Sequence, residues 1–124
     1  IRALIEEGLT TPTPEYVRCR EHQDRLREEA IVLTMDDRFG RVEASVVPAT
    51  IGPAPDPSTT GDPVFNFPWS YTGLPTISFP FALSTDGLPL ALQLVGWSYG
   101  EPELFRVALW CEDVLRAASR AKKD

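Results

Sequence analysis

Apolar and polar positions change period twice along this chain. From Tyr16 the apolar side recurs at three and four, through Cys19, Gln23, Leu26, Ala30 and Leu33, which predicts an amphipathic helix over 14–39, closed near Phe39 and Gly40. Thr13, Pro14 and Glu15 supply its start: a hydroxyl cap, a proline in the first turn and an acid at the positive end of the dipole. The opposite side carries Arg18, Glu21, Arg25 and Glu28, a solvated face. Before it, Ile1 to Glu7 reads as the end of a helix stopped by Gly8.

Beyond Gly40 the period shortens to two. Glu43 to Val47 is short, β-branched and closed by Pro48, so a strand is predicted at 43–47, followed by a proline-rich loop over 48–63. The best strand candidates are 76–83 and 88–97, joined by Ser84-Thr85-Asp86-Gly87 as an antiparallel hairpin. In the second of them Leu88, Leu90, Leu92 and Leu94 alternate with Ala91, Gln93 and Val95, so both faces are largely apolar and the strand belongs in a sheet covered on both sides. Gln93 is the exception, a buried amide that needs partners at both ends. Pro102 opens a last helix, 102–119, with Leu104, Val107, Ala108, Cys111, Val114 and Leu115 on one stripe.

The stretch from Gly61 to Tyr99 organises the rest. Between Asp62 and Glu101 the single charge is Asp86, while Gly61 to Tyr99 holds eight of the twelve aromatics, so it has to be covered. Nine of the twelve prolines lie between Pro48 and Pro89, which predicts strand and turn there, not helix. An extended backbone would set Phe65, Phe67, Trp69 and Tyr71 on one side. Packing over a sheet is the first reading of those rings; contact with a ligand is the second.

Composition then narrows the function. A formal net charge of −6, with Lys122 and Lys123 the only lysines, leaves no basic stripe for nucleic acid. No run is long enough to span a membrane, and no signal peptide pattern opens the chain. Cys19 and Cys111 have no CxxC spacing, which favours free thiols and a cytoplasmic setting over a metal site or disulfide framework. His22 stands among charged residues as a surface imidazole. No GxSxG elbow, Ser/His/Asp set, phosphate-cradling loop or metal cluster is present, so the residues imply neither a catalytic centre nor a cofactor. Beginning at Ile1, inside a plausible helix, the chain reads as a fragment.

The ordered series SVVPA, GPAP, TGDPVFNFPWSYTGLPTISFP, DGLPLALQLVG and GEPELF resembles the C-terminal portion of amidase signature enzymes, from about Gly8 to Leu115. The resemblance implies an α/β fold, with strands of a mixed sheet and a β-hairpin flanked by helices, and 1–124 as one region of an amidase domain. It implies hydrolysis or transfer of amide groups through an acyl-serine, carried by a Lys-Ser-Ser set whose motifs lie upstream of the matching region; none of them is in this chain, and catalytic residues here are none. It further suggests Asp62, Phe65, Asn66, Trp69 and Ser70 as substrate-pocket candidates for a small-molecule amide. Phe81-Ala82 stands where Cys-Gly is common in such enzymes, and Ala91 where a glycine is usual. The partner implied is the N-terminal amidase part. The alternative is a non-catalytic interaction module that self-associates with another copy through its apolar sheet.

Overall fold

The computed structural model describes residues 2–34 and 42–121. In chain order the elements are α1 (Arg2–Thr10), α2 (Thr13–Thr34), β1 (Ser45–Pro48), α3 (Phe67–Thr72), β2 (Thr76–Leu83), β3 (Pro89–Val95) and α4 (Glu101–Ala121). The expected end of the second helix at Phe39 and Gly40, the side chain of Leu33, and Lys122 and Lys123 lie outside the described residues.

The sheet has the order β1-β3-β2, and both pairings are antiparallel. Any parallel member of a mixed sheet would have to come from strands beyond these three. β3 is central, as its two apolar faces require. Its register puts Ile77 opposite Leu94 and Phe79 opposite Leu92 on one face, with Ser78 and Val47 opposite Gln93 on the other. Cross-strand partners share a face. Leu94 is fully buried, and Gln93 is 3% exposed on the opposite side of the same strand.

α4 covers the Leu92/Leu94 face. Gly96, just past β3, is the point of closest approach: a Cβ there would stand 3.2 Å from Leu104 Cβ and Cδ2, so glycine lets the helix settle on the strand end. Leu104 is buried as a result. The hairpin turn closes with Ser84 donating its amide to the Leu88 carbonyl at 2.8 Å and Gly87 to the Ser84 carbonyl at 3.0 Å. β3 spans Pro89–Val95, shorter than the expected 88–97: the Gly96 amide still reaches the Pro75 carbonyl at 2.9 Å, but Pro75 has no amide to return and the ladder ends there.

Four expectations are corrected here. α1 continues through Gly8 to Thr10, and the Thr10 and Thr11 hydroxyls, each 2.9 Å from the Glu7 carbonyl, close its end in place of a glycine cap. α2 begins at Thr13, because the amides of Glu15 and Tyr16 go to the Pro12 carbonyl at 3.0 and 3.1 Å; Thr13 is therefore helical and not the cap. The strand expected at 43–47 pairs over Ser45–Pro48, since register with β3 begins at Ser45 opposite Val95. Finally, the proline-dense middle does contain a helix, α3.

The chain exposes 9769 Å². A compact protein of this mass would expose roughly 6,600 Å². The core is correspondingly thin: Ala49, Leu74, Leu94, Val95 and Leu104 are its buried apolar residues among those described. Leu4, Ile5 and Leu9 of α1, Val46 of β1, Phe81 and Leu83 of β2, and Phe105, Leu109 and Trp110 of α4 stand exposed.

Candidate substrate-pocket wall

The stretch between Gly61 and Gly73 folds as a turn and a short helix. Asp62 starts it, its Oδ1 accepting the Val64 amide at 2.9 Å. The Pro63 carbonyl then takes the amides of Asn66 and Phe67 at 2.8 and 2.7 Å, which winds the chain into α3. Pro68 falls in the first turn of that helix, where its missing donor costs nothing. The expected extended backbone is thus overturned: Phe65 lies in the turn, and Phe67, Trp69 and Tyr71 follow helical spacing. Phe67 and Tyr71, four apart, stack with centroids 6.1 Å apart and planes 11° apart. Phe65 and Trp69 are half-buried instead.

Gly73 ends α3 in the left-handed region at φ 70°, and both its amide and that of Leu74 reach the Trp69 carbonyl, at 2.8 and 3.1 Å. Two side chains of α2 take the carbonyls left over: Gln23 Nε2 donates to Tyr71 and Arg27 Nε to Thr72, the latter at 2.6 Å. Asp24 Oδ1 lies 3.3 Å from the same guanidinium. Gly73→Val is expected to cost about 1–2 kcal/mol, from the left-handed backbone alone. A Cβ there would also sit 3.3 Å from Arg27. Urea unfolding of the variant beside Gly52→Val, at a loop position where a Cβ would meet nothing within 4 Å, checks this; equal midpoints would refute it.

The five pocket candidates divide by what they touch. Asn66 is turned to the sheet: its Nδ2 donates to the Ala49 carbonyl at 3.1 Å, and its Oδ1 accepts from Gln93 Nε2 at 3.2 Å. It therefore joins the end of β1, β3 and the start of α3 through one amide. Asp62 is committed to its turn. Ser70 is exposed, and its amide bonds the Asn66 carbonyl at 3.1 Å. Trp69 brings its indole Nε1 to a buried position without a hydrogen-bond partner, as Gln93 does its Oε1. Of the five, Phe65 and Trp69 are half-buried aromatics, while Asp62, Asn66 and Ser70 are exposed polar residues.

His22 has a partner the sequence did not reveal. Its Nδ1 is 3.1 Å from the Tyr71 hydroxyl, which also reaches the Cys19 carbonyl at 3.2 Å. A hydroxyl has one hydrogen to give; with that hydrogen on the Cys19 carbonyl, Nδ1–H is the donor to Tyr71. The histidine thereby ties α2 to α3. Among the described residues no group of three His, Cys, Asp or Glu side chains could hold a metal ion, and no helix is long and apolar enough to cross a membrane. Cys19 and Cys111 are free thiols.

A three-stranded antiparallel sheet with α4 on one face and α3 on the other, joined by an α2 clamp, is a layered helix-and-sheet arrangement. A solved structure described as an amidase superposes on 90% of this chain, with a TM-score of 0.75 and 25% identity, and the chain covers 27% of it. Among curated relatives, a glutamyl-tRNA(Gln) amidotransferase subunit from Anaplasma phagocytophilum (strain HZ) is 51% identical over 45 residues, which is 36% of this chain and 9% of that protein. Its counterpart from Bartonella quintana (strain Toulouse) is 36% identical over 91 residues, 65% of this chain and 18% of its own length. The mitochondrial counterpart from Mus musculus is 43% identical over 51 residues, 41% of this chain and 10% of the relative. No family model matches the chain. Over the matched residues the chain is thus similar to these amidotransferase subunits, and its fold is similar to that of the solved amidase. It spans between 9% and 18% of these three relatives' lengths.

Proposed function

We propose that the chain is the C-terminal part of an amidase-type hydrolase, supplying core strands and one wall of the acyl-binding pocket, and that it is inactive alone. The single observation that carries this reading is the match to a solved amidase over 90% of this chain but 27% of that one. The partial coverage fits a C-terminal segment. The complete enzyme would act in the cytoplasm on a small-molecule amide, through an acyl-serine formed by a Lys-Ser-Ser set outside this chain. Asp62, Phe65, Asn66, Trp69 and Ser70 form the wall, with Phe65 and Trp69 as its apolar surface, Asn66 holding it to the sheet and Asp62 holding its turn.

Two preparations test it: the isolated chain, and a chimera in which the aligned part of the solved amidase is replaced by this chain. Amide hydrolysis is expected from the chimera, with the isolated chain indistinguishable from an inert protein control. Turnover by the chain alone would sink the claim of inactivity, and a folded but inert chimera would sink the pocket-wall role. The exposed apolar surface of β2 and α4 favours one other reading, a non-catalytic module that pairs with a second copy. Light scattering that reports a stable dimer of the isolated chain would favour it.

A further inference from the structure

α3 is held at its two ends by different parts of the chain. At the first end Asn66 donates from Nδ2 to the Ala49 carbonyl at 3.1 Å and accepts at Oδ1 from Gln93 Nε2 at 3.2 Å, so that end is fixed to the sheet. The last turn is closed on itself: the Trp69 carbonyl takes the amides of Gly73 and Leu74 at 2.8 and 3.1 Å, and the Thr72 hydroxyl donates to the Pro68 carbonyl at 2.8 Å. Bonds that leave this turn run to α2. There Gln23 Nε2 and Arg27 Nε donate to the Tyr71 and Thr72 carbonyls, and the Tyr71 hydroxyl meets His22 and the Cys19 carbonyl.

Among these contacts the one from Arg27 is the hardest to replace. Thr72 is 7% exposed, so the carbonyl that Arg27 serves belongs to a buried residue, where an unmet acceptor is costly. Tyr71 is only half-buried, and His22 reaches its hydroxyl and not the main chain. The bond from Arg27 to Thr72 is charge-assisted and 2.6 Å long, and Asp24 Oδ1, 3.3 Å from Nη1, holds the guanidinium in place. The Arg27 side chain is 32% exposed, whereas Arg2, Arg106 and Arg116, the other described arginines in ion pairs, stand at 63% or more, so Arg27 is turned inward and not merely solvated.

We propose that Arg27 is a positioning residue for substrate binding, setting through the Thr72 carbonyl how Trp69 and Ser70 are presented at the pocket wall; the inference rests on the reading given under Proposed function. Trp69 and Ser70 lie between the two anchors of α3. Without Arg27 the helix keeps its Asn66 end, pivots there, and carries both residues with its freed last turn. Asp62 and Phe65 precede the Asn66 anchor and stay where they are, so the change is confined to one part of the wall. In the proposed enzyme the reacting atoms are served by residues outside this chain, so wall contacts count equally before and during the reaction. Their loss raises KM and leaves kcat nearly alone.

Arg27→Ala, Arg27→Lys and Arg25→Ala, placed in the chimera described above, test this. For Arg27→Ala, KM is expected to rise about tenfold with kcat within about threefold of the parent, the scale of one hydrogen bond to a charged group. Arg27→Lys keeps a charged donor and should recover part of the loss, while Arg25→Ala, on the exposed face, should leave both constants unchanged. If Arg27→Ala does not fold, Arg27→Met, which keeps the stem and removes the donors, carries the same readings. An unmoved KM in the folded, active variant overturns the proposal even where the urea midpoint falls, since a purely structural arginine does just that; a loss in kcat alone overturns it as well. Hydrogen exchange of the Gly73 and Leu74 amides in this chain gives a readout independent of activity. Arg27→Ala should speed it about tenfold relative to Arg25→Ala and leave the Asn66 amide unchanged, and equal rates overturn the anchor. Faster exchange beside a folded but inert chimera would discard the pocket-wall function and keep Arg27 as the anchor of α3; an active chimera with KM unmoved would keep that function and discard the role of Arg27.

Discussion

Leu94→Ala is expected to destabilise the fold by about 3–5 kcal/mol, the range for emptying a fully buried leucine site that cannot collapse. The size of the effect follows from how little else is buried. Leu94 is at 0% exposure in the central strand, flanked by Ile77 on β2 and Val46 on β1. Total stabilities of domains are commonly about 5–15 kcal/mol, and a chain with five buried apolar residues among those described sits toward the low end. The variant should therefore lose its cooperative transition in urea, followed by circular dichroism and tryptophan fluorescence. Val46→Ala is the control: it lies opposite Leu94 in the register but is 58% exposed, and should cost less than about 1 kcal/mol. Equal losses in the two variants would mean that α4 does not seal the β3 face as described.

That contrast shows which parts of the fold were readable from local pattern. The hairpin was, because Thr76–Leu83 and the leucine alternation before Gly96 carry strand period, and Ser84 to Gly87 carry turn chemistry. The burial of Gln93 was readable for the same reason: it interrupts an otherwise apolar strand. α3 was not. Its aromatics at every second position imitate a strand, and what makes it helical is the Pro63 carbonyl at one end and, at the other, two α2 side chains 45 and 48 residues distant. The His22 to Tyr71 bond spans 49 residues and has no local signature either. The bonds of Asn66 to Ala49 and Gln93 span 17 and 27 residues and likewise had no local signature.

The joint gives the second large effect. Asn66→Ala removes the donor to the Ala49 carbonyl and the acceptor for Gln93 in one step. Ala49 and Gln93 are both buried, at 6% and 3% exposure, so water does not easily replace the lost partners. A cost of about 1–3 kcal/mol is expected. Gln93→Met should behave oppositely despite removing the same Gln93 to Asn66 bond. In the native protein Gln93 Oε1 is buried without a partner, so a side chain of similar length with no amide takes away an unsatisfied acceptor. The Asn66 Oδ1 left behind belongs to an exposed residue, so losing this partner is expected to cost less than at a buried one. Gln93→Met is therefore expected to change the unfolding free energy by less than about 1 kcal/mol, in either direction. In the double variant the Asn66→Ala loss should shrink, because only the Ala49 carbonyl still lacks its partner, and the cycle would report the Asn66–Gln93 coupling directly. A Gln93→Met loss as large as that of Asn66→Ala would show that Oε1 has a partner in solution and that the amide, not the asparagine alone, holds α3 to the sheet.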